Sequence, residues 1–173
     1  EAARVCRLRG HEVTLYEKRK LGGALLEASV PEFKADIRPF IGYLVTQIKK
    51  LGINVIERAF DPSEASNYDV IVVATGATPI LPNIPGVDKS LVTTAVDVLR
   101  KSGCEGENIV VVGGGLVGTE TGLFLAQKGK NVTIVEMLDE ILKDAATTDK
   151  VAYFEMMSKM KNIRIYVNHE VKE

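Results

Sequence analysis

A glycine-rich turn between a strand and a helix constrains this chain more than any other feature. Four β-branched residues, 109–112, predict a buried parallel strand, and a Gly-Gly-Gly-Leu-Val-Gly run over residues 113–118 follows directly. Residues 116–128 predict a helix, and residues 132–136 predict a second strand that ends in an acid. Strand, glycine turn, helix, strand and acid together are the signature of a dinucleotide-binding βαβ unit.

Each glycine of the Gly-x-Gly-x-x-Gly pattern has a separate physical task. Gly113 permits the tight turn, Gly115 lets the backbone approach a pyrophosphate, and Gly118 lets the helix pack closely on the strand. The phosphates would then lie at the positive end of the helix dipole, against its unpaired N–H groups. The alternative is a glycine-rich turn without a ligand.

Glu136 indicates which dinucleotide this unit binds. It lies 18 residues beyond Gly118, where a carboxylate accepts hydrogen bonds from the 2′- and 3′-hydroxyls of an adenosine ribose. A carboxylate repels a 2′-phosphate, and the next residues, Met137 and Leu138, offer no arginine to bind one. We therefore expect NAD(H) rather than NADP(H).

The beginning of the chain repeats part of this unit. Residues 1–17 align with residues 120–136 without a gap, at a constant offset of 119, and the alignment pairs Glu17 with Glu136. We therefore expect Glu17 to bind the ribose of a second adenine nucleotide. The first strand and glycine turn of this earlier unit would precede residue 1, so we expect a fragment cut inside that unit. The alternative is a natural N-terminus with a chance match.

The residues between the two acids alternate between helical and strand patterns. Apolar residues at three- and four-residue spacing predict a helix over 36–51, with Asp36 as its cap. Residues 53–56 predict a short strand and residues 60–67 a polar loop. Residues 68–76 predict a second fully buried strand, which runs into an Ala-Thr-Gly turn at the carboxyl edge of a sheet.

Three prolines within residues 79–85 predict a stiff connector, and we place the domain boundary there. The chain is thus expected to be an α/β protein with two Rossmann-like units, each a three-layer unit with a mostly parallel sheet. The first unit, residues 1–87, and the second, residues 88–173, are both expected to be incomplete. The remaining predicted elements are a helix over residues 94–102, a short helical patch at 141–142, a helix over 149–161 and a third strand over 163–167.

The composition argues against several other classes of function. The net charge is −1 with acids and bases interspersed, which gives no electrostatic case for nucleic-acid binding. No apolar run approaches the length of a membrane helix, and no signal peptide is visible, although a truncated start would hide one. Cys6 and Cys104 are isolated, without metal or redox spacing, which predicts reduced thiols in a cytoplasmic protein that holds no metal.

Several stretches of the chain resemble one family of flavoproteins. The chain resembles the two-dinucleotide-binding flavoproteins in four features. These are two nucleotide-binding units, an acid that closes the second strand of each unit, a Gly-Gly turn at residues 22–23 and a Val-Ala-Thr-Gly-Ala-x-Pro connector at 73–79. Residues 21–34, 84–89, 94–99 and 135–142 most resemble the C-terminal half of bacterial 2-enoate reductases and 2,4-dienoyl-CoA reductases. These enzymes are old-yellow-enzyme-related NADH:flavin oxidoreductases. The likeness covers essentially all of the chain.

This resemblance implies an electron-input module of an NAD(P)H-dependent flavin oxidoreductase. In the family, an N-terminal barrel carries FMN and an iron–sulfur cluster and reduces enoates or enoyl thioesters, while the half seen here takes hydride from NADH onto FAD. The implied FAD-binding residues are Glu17, Gly22, Gly23, Ala74, Thr75 and Gly76. The implied NADH-binding residues are Gly113, Gly115, Leu116, Val117, Gly118 and Glu136. No catalytic acid or base is implied, because the cofactors supply the chemistry.

Two alternatives stay open at this point. One is a nucleotide-binding structural remnant without turnover, and the other is an NADH oxidase of the same architecture. The intact glycine turn and Glu136 favour the electron-input module, while the lack of paired cysteines disfavours a disulfide reductase. The expected partners are NADH and the barrel of the parent enzyme, and exposed sheet edges would favour self-association.

We predict that the purified chain retains little or no FAD. The pyrophosphate-binding turn of the first unit is absent from these residues, and its loss could cost about 4 kcal/mol, the difference between a micromolar and a millimolar site. Flavin absorbance at about 450 nm that persists through gel filtration would contradict this expectation.

Overall fold

The computed structural model describes residues 1–173, which divide into two compact units. Unit 1 comprises residues 1–29 and 33–78, and unit 2 comprises residues 30–32 and 79–173. Every strand pair in both units is parallel, so the α/β class with Rossmann-like units is confirmed. None of the helices combines the length and the apolar character needed to cross a membrane.

Unit 1 contains a two-stranded parallel sheet with helices around it. Its elements are α1 (Ala2–Leu8), β1 (Thr14–Tyr16), α2 (Leu25–Ala28), α3 (Ile37–Lys50), β2 (Asn54–Ile56) and a 3-10 helix (Pro62–Asn67). The predicted helix and short strand are confirmed, but Asp36 makes no capping hydrogen bond through its side chain. The predicted polar loop contains the 3-10 helix instead, because the Asp61 carboxylate accepts a hydrogen bond from the Ser63 N–H and fixes its first turn.

The strand predicted over residues 68–76 does not form. The backbone there is irregular, and Val70 and Val73 are 78% and 79% exposed. A strand needs a neighbouring strand that satisfies its N–H and C=O groups, and the sheet of unit 1 consists of β1 and β2 alone. Residues 70–73 are apolar, as a buried strand requires, but neither β1 nor β2 pairs with them.

Unit 2 contains a three-stranded parallel sheet in the order β3-β4-β5. Its elements are α4 (Ala95–Arg100), β3 (Asn108–Val112), α5 (Leu116–Gln127), β4 (Asn131–Val135), α6 (Thr147–Ser158) and β5 (Ile163–Tyr166). Val110 lies opposite Thr133, and Ile134 opposite Ile165. The predicted strands and helices are confirmed within a few residues at each end, whereas the helical patch at 141–142 is wrong, as described below.

The core of unit 2 lies between α5 and the sheet. Leu123 and Leu125 of α5 and Val132 and Ile134 of β4 are almost completely buried. Burial of each such side chain contributes about 1.5–3 kcal/mol. Because side chains alternate across a strand, Val110 points to the other face and is exposed, so the prediction that all four β-branched residues of β3 are buried was wrong.

The internal repeat inferred from the sequence recurs in the backbone. Gly10 and Gly129, which end α1 and α5, have φ of +93° and +85°. The N–H of each glycine donates to the carbonyl three residues earlier at 3.0 Å, and the next N–H donates to the carbonyl five residues earlier at 3.1 Å. The same helix-ending hydrogen bonds therefore occur twice, 119 residues apart.

We predict that Leu123→Ala lowers the free energy of unfolding by about 3 kcal/mol, because it leaves a cavity in the buried core. Leu123 is 0% exposed, whereas Val151 of α6 is 64% exposed, so Val151→Ala serves as the control and should change stability by less than about 0.5 kcal/mol. Urea unfolding followed by circular dichroism measures both. Equal effects of the two substitutions would contradict this account of the core.

Candidate nucleotide-binding site

The glycine turn joins β3 to α5 and is shaped by close backbone contacts. Gly113 has φ of +100°, a conformation that L side chains rarely adopt, and its N–H donates to the Val135 carbonyl at 2.8 Å. A Cβ on Gly118 would lie 1.9 Å from the Gly113 carbonyl oxygen. A Cβ on Gly115, in contrast, would meet no atom within 4 Å. Gly113 is thus required by its backbone conformation and Gly118 by close packing, while the open space beside Gly115 fits a bound pyrophosphate.

Glu136 lies at the tip of β4 and is hydrogen-bonded directly to this turn. The carboxylate is buried; its Oε2 accepts a hydrogen bond from the Gly114 N–H at 2.6 Å, and its Oε1 accepts one from the Leu138 N–H at 2.8 Å. The acid and the turn are 22 residues apart in sequence. Since a carboxylate has about four lone-pair positions, two accepted bonds leave it able to bind ribose hydroxyls.

The segment after Glu136 closes one side of the turn. Ile141 and Leu142 are buried, but they form a turn rather than the predicted helical patch, because Leu142 has φ of +59°, which no right-handed helix allows. The Leu142 N–H donates to the Gly114 carbonyl at 2.7 Å. Both backbone polar groups of Gly114 are therefore bound to this segment.

Sequence reasoning missed the role of Gly114. A Cβ there would lie 2.5 Å from Ile141 Cγ2 and 3.1 Å from Glu136 Cβ, so a side chain does not fit. The Gly-x-Gly-x-x-Gly pattern assigns no task to this position. The run of three glycines was the available signal, but its cause is a packing contact with a residue 27 positions later, which no local pattern reveals.

These groups line a cavity of about 150 Å³. The turn contributes Gly114, Gly115 and Leu116, and the facing wall contains Glu136, Glu140 and Lys143. Whole-ligand pockets usually exceed about 300 Å³, so the cavity suits one part of a nucleotide, such as its ribose. Leu116 and Val117 form the first turn of α5, whose N-terminus presents N–H groups and a positive dipole end to an anion.

Glu17 repeats this arrangement in unit 1. It follows β1 directly, and its Oε1 accepts a hydrogen bond from the Arg19 N–H at 2.9 Å, as Glu136 Oε1 does from the residue two positions later. Gly22 and Gly23 follow with φ of +136° and +55°, and an added Cβ on Gly23 would meet no atom within 4 Å. The acid and an open turn are thus available to a second nucleotide.

The basic run after Glu17 has an internal partner. The Arg19 guanidinium lies 2.5 Å from the carboxylate of Glu27, which is buried in α2. This hydrogen bond raises the pKa of Arg19, which therefore stays charged. The pair connects the segment that follows Glu17 to the helix after the Gly-Gly turn.

Ala74, Thr75 and Gly76, the other residues implied for FAD, lie in the irregular segment described above. They are exposed, and no strand precedes them, so the sheet-edge position predicted for them is not formed. Cys6 and Cys104 are unpaired thiols. No cluster of three or more His, Cys, Asp or Glu side chains is arranged to hold a metal ion.

Comparison with known proteins identifies relatives over the whole chain. The family model described as pyridine nucleotide-disulphide oxidoreductase matches residues 1–173. A cinnamate reductase from Clostridium sporogenes is 42% identical over 147 residues, which cover 83% of this chain and 22% of the relative. An NADH oxidase from Thermoanaerobacter brockii is 39% identical over 173 residues, which cover 95% of this chain and 26% of the relative.

A solved structure shows the same fold at high similarity. A 2-naphthoyl-CoA reductase in complex with 2-naphthoyl-CoA superposes with a TM-score of 0.90 at 31% identity, covering 99% of this chain and 26% of that chain. The chain therefore spans about a quarter of the length of these three relatives.

We predict that Gly118→Ala destabilises unit 2 and abolishes NADH binding, since its Cβ would collide with the Gly113 carbonyl oxygen. Gly42→Ala, in α3, is the matched control because an added Cβ there meets no atom within 4 Å; alanine in a helix should be neutral or stabilising by up to about 1 kcal/mol. Thermal unfolding and NADH fluorescence titration measure the two effects. A well-folded Gly118→Ala protein with unchanged NADH affinity would refute the packing argument.

Proposed function

Because the chain belongs to the pyridine nucleotide-disulphide oxidoreductase family, we propose that it forms the electron-input module of an NADH-dependent flavoprotein that reduces enoates or enoyl thioesters. Its cofactors are FAD and NAD(H). Unit 2 binds NADH and unit 1 binds FAD in this proposal. The double-bond chemistry then takes place in a barrel partner that carries FMN and an iron–sulfur cluster.

One observation carries the proposal for unit 2, the hydrogen bond between Glu136 and the Gly114 N–H beside the open space at Gly115. The acid that would bind the ribose and the turn that would bind the pyrophosphate are held in one geometry before any ligand arrives. Preorganised groups lose little conformational entropy on binding, so such a site favours a nucleotide over solvent.

The residues of the chain have binding and positioning roles in this proposal. Glu136 and Glu17 accept hydrogen bonds from the two ribose units, and the N–H groups of Leu116 and Val117 face the pyrophosphate of NADH. FAD and NADH, when bound, supply the hydride-transfer chemistry themselves. The chain supplies orientation, and no side chain is assigned as an acid or base.

The substrate class rests on the names of two relatives. Cinnamate is a 2-enoate, and 2-naphthoyl-CoA is an unsaturated acyl thioester, so both named substrates carry a carbon–carbon π bond activated by a carbonyl group. The second candidate function is an NADH oxidase, which is favoured by the relative of that name that matches over 95% of this chain. The same NADH-binding unit would serve either reaction.

We predict that Glu136→Gln weakens NADH binding by at least about tenfold, or about 1.4 kcal/mol. The Glu136 carboxylate accepts hydrogen bonds from two backbone N–H groups, and a glutamine amide would face one of them with its own NH₂ donor. The substitution also removes the negative charge that would bind the ribose hydroxyls. The control is Glu107→Gln, because Glu107 is exposed and precedes β3 at the opposite end of the sheet. Fluorescence titration with NADH should separate the two variants; equal affinities would exclude Glu136 as the ribose-binding acid.

The redox role has its own test in the full-length flavoprotein. Anaerobic addition of NADH should bleach the flavin absorbance, and cinnamate or an enoyl thioester should then restore it. Restoration by dioxygen alone would favour the NADH oxidase, whereas a flavin that NADH does not bleach would favour a structural nucleotide-binding remnant.

A further inference from the structure

The loop after Glu136 places a lysine in the wall of the 150 Å³ cavity described above, which is the proposed site of the NADH ribose. Lys143 is the single basic residue among those that line the cavity, where it accompanies three acids, Glu136, Glu140 and Asp144. Its Nζ lies 2.7 Å from Oδ1 of Asp139, which does not line the cavity. This cation lies seven positions beyond Glu136, whereas the two residues that directly follow Glu136, Met137 and Leu138, are uncharged.

We propose that Asp139 is a specificity-determining residue that enforces the preference for NADH by pairing with Lys143. While the pair is intact, the ammonium group is neutralised from outside the cavity, and the wall that faces the ribose is acidic. With a neutral residue at position 139, Lys143 is available to the 2′-phosphate of NADPH, so NADPH binding improves. The inference rests on the proposed NADH-binding function of this cavity.

Backbone hydrogen bonds anchor the loop that carries Asp139 and Lys143. The Leu142 N–H is bound to the Gly114 carbonyl, and the Asn168 N–H donates to the Leu138 carbonyl at 2.8 Å. Ile141 and Leu142 are buried between the two charged residues. Asp139 and Lys143 are therefore carried on an anchored loop rather than on a free one.

The charge balance explains why Asp139 matters although the pair is exposed. Glu140 pairs with Lys150 at 3.1 Å, whereas Glu136 and Asp144 line the cavity without a lysine or arginine salt-bridge partner, so the lining opposes a 2′-phosphate. An exposed ion pair is itself weak, and a phosphate could displace its acid. The Asp139 carboxylate would then lie beside both the lysine and the phosphate and would repel the latter.

The protonation states support the same picture. The hydrogen bond from Lys143 lowers the pKa of Asp139, and the hydrogen bond to Asp139 raises the pKa of Lys143. Both groups therefore keep their charges at neutral pH. Titration of either partner therefore does not break the ion pair at neutral pH.

The test compares the affinities of the chain for NADH and NADPH before and after Asp139→Asn. We expect the dissociation constant for NADPH to fall by about fivefold, a gain of about 1 kcal/mol, while that for NADH stays within about twofold. Asp139 is 68% exposed, so the asparagine should be tolerated. The gain should shrink at high salt, as expected for an exposed electrostatic contact.

Two further variants establish that the effect runs through Lys143. Adding Lys143→Met to Asp139→Asn should return the NADPH affinity to that of the original chain or below it. Glu155→Gln is the matched control, because Glu155 and Lys159 form the same four-residue acid–lysine pair, at 2.6 Å, on α6. This substitution should leave the NADPH-to-NADH ratio unchanged.

The outcomes distinguish this inference from the proposed function. If NADH binds but Asp139→Asn leaves the ratio unchanged, or if the gain survives Lys143→Met, the inference is overturned and the proposed function stands. If the original chain binds neither NADH nor ADP-ribose, the proposed function of the cavity fails, and the inference falls with it.

Discussion

The hydrogen bond from the Gly114 N–H to the Glu136 carboxylate is the interaction on which the rest of unit 2 depends. It ties the carboxyl end of one strand to the turn that follows the neighbouring strand, so two groups far apart in sequence share one position in space. A buried carboxylate needs such donors, because an uncompensated charge in a dry site is costly. The acid is therefore part of the fold, and it is also the residue that we propose to bind a ribose.

The two units express the same design to different extents. Each ends its helix with a left-handed glycine and the same hydrogen bonds, and each follows its strand with an acid that accepts the N–H two residues later. In unit 2 this acid also reaches the glycine turn, whereas in unit 1 the neighbouring arginine is bound by Glu27. Two acids at equivalent strand ends, in separate sheets, are consistent with the proposal that the chain binds two adenine nucleotides.

Patterns with a short range predicted most of this fold. The helix over 36–51, the glycine turn and the strands around it depend on local periodicity or on the steric freedom of glycine. The strand expected over 68–76 needed a partner that these residues do not provide. At the site, the acid was predictable, but the packing contact of Gly114 and the position of Lys143 in the cavity wall were not, since both depend on the conformation of the loop that contains the left-handed Leu142.

Leu142 combines two demands that few side chains meet together. Its backbone occupies a region that β-branched residues avoid, while its side chain is almost completely buried. Glycine would relax the backbone and leave a void, and asparagine would tolerate the backbone and bury an amide. Natural variation at this position should therefore be narrow, confined to apolar side chains without a branch at Cβ, such as leucine and methionine, although no part of residue 142 performs chemistry.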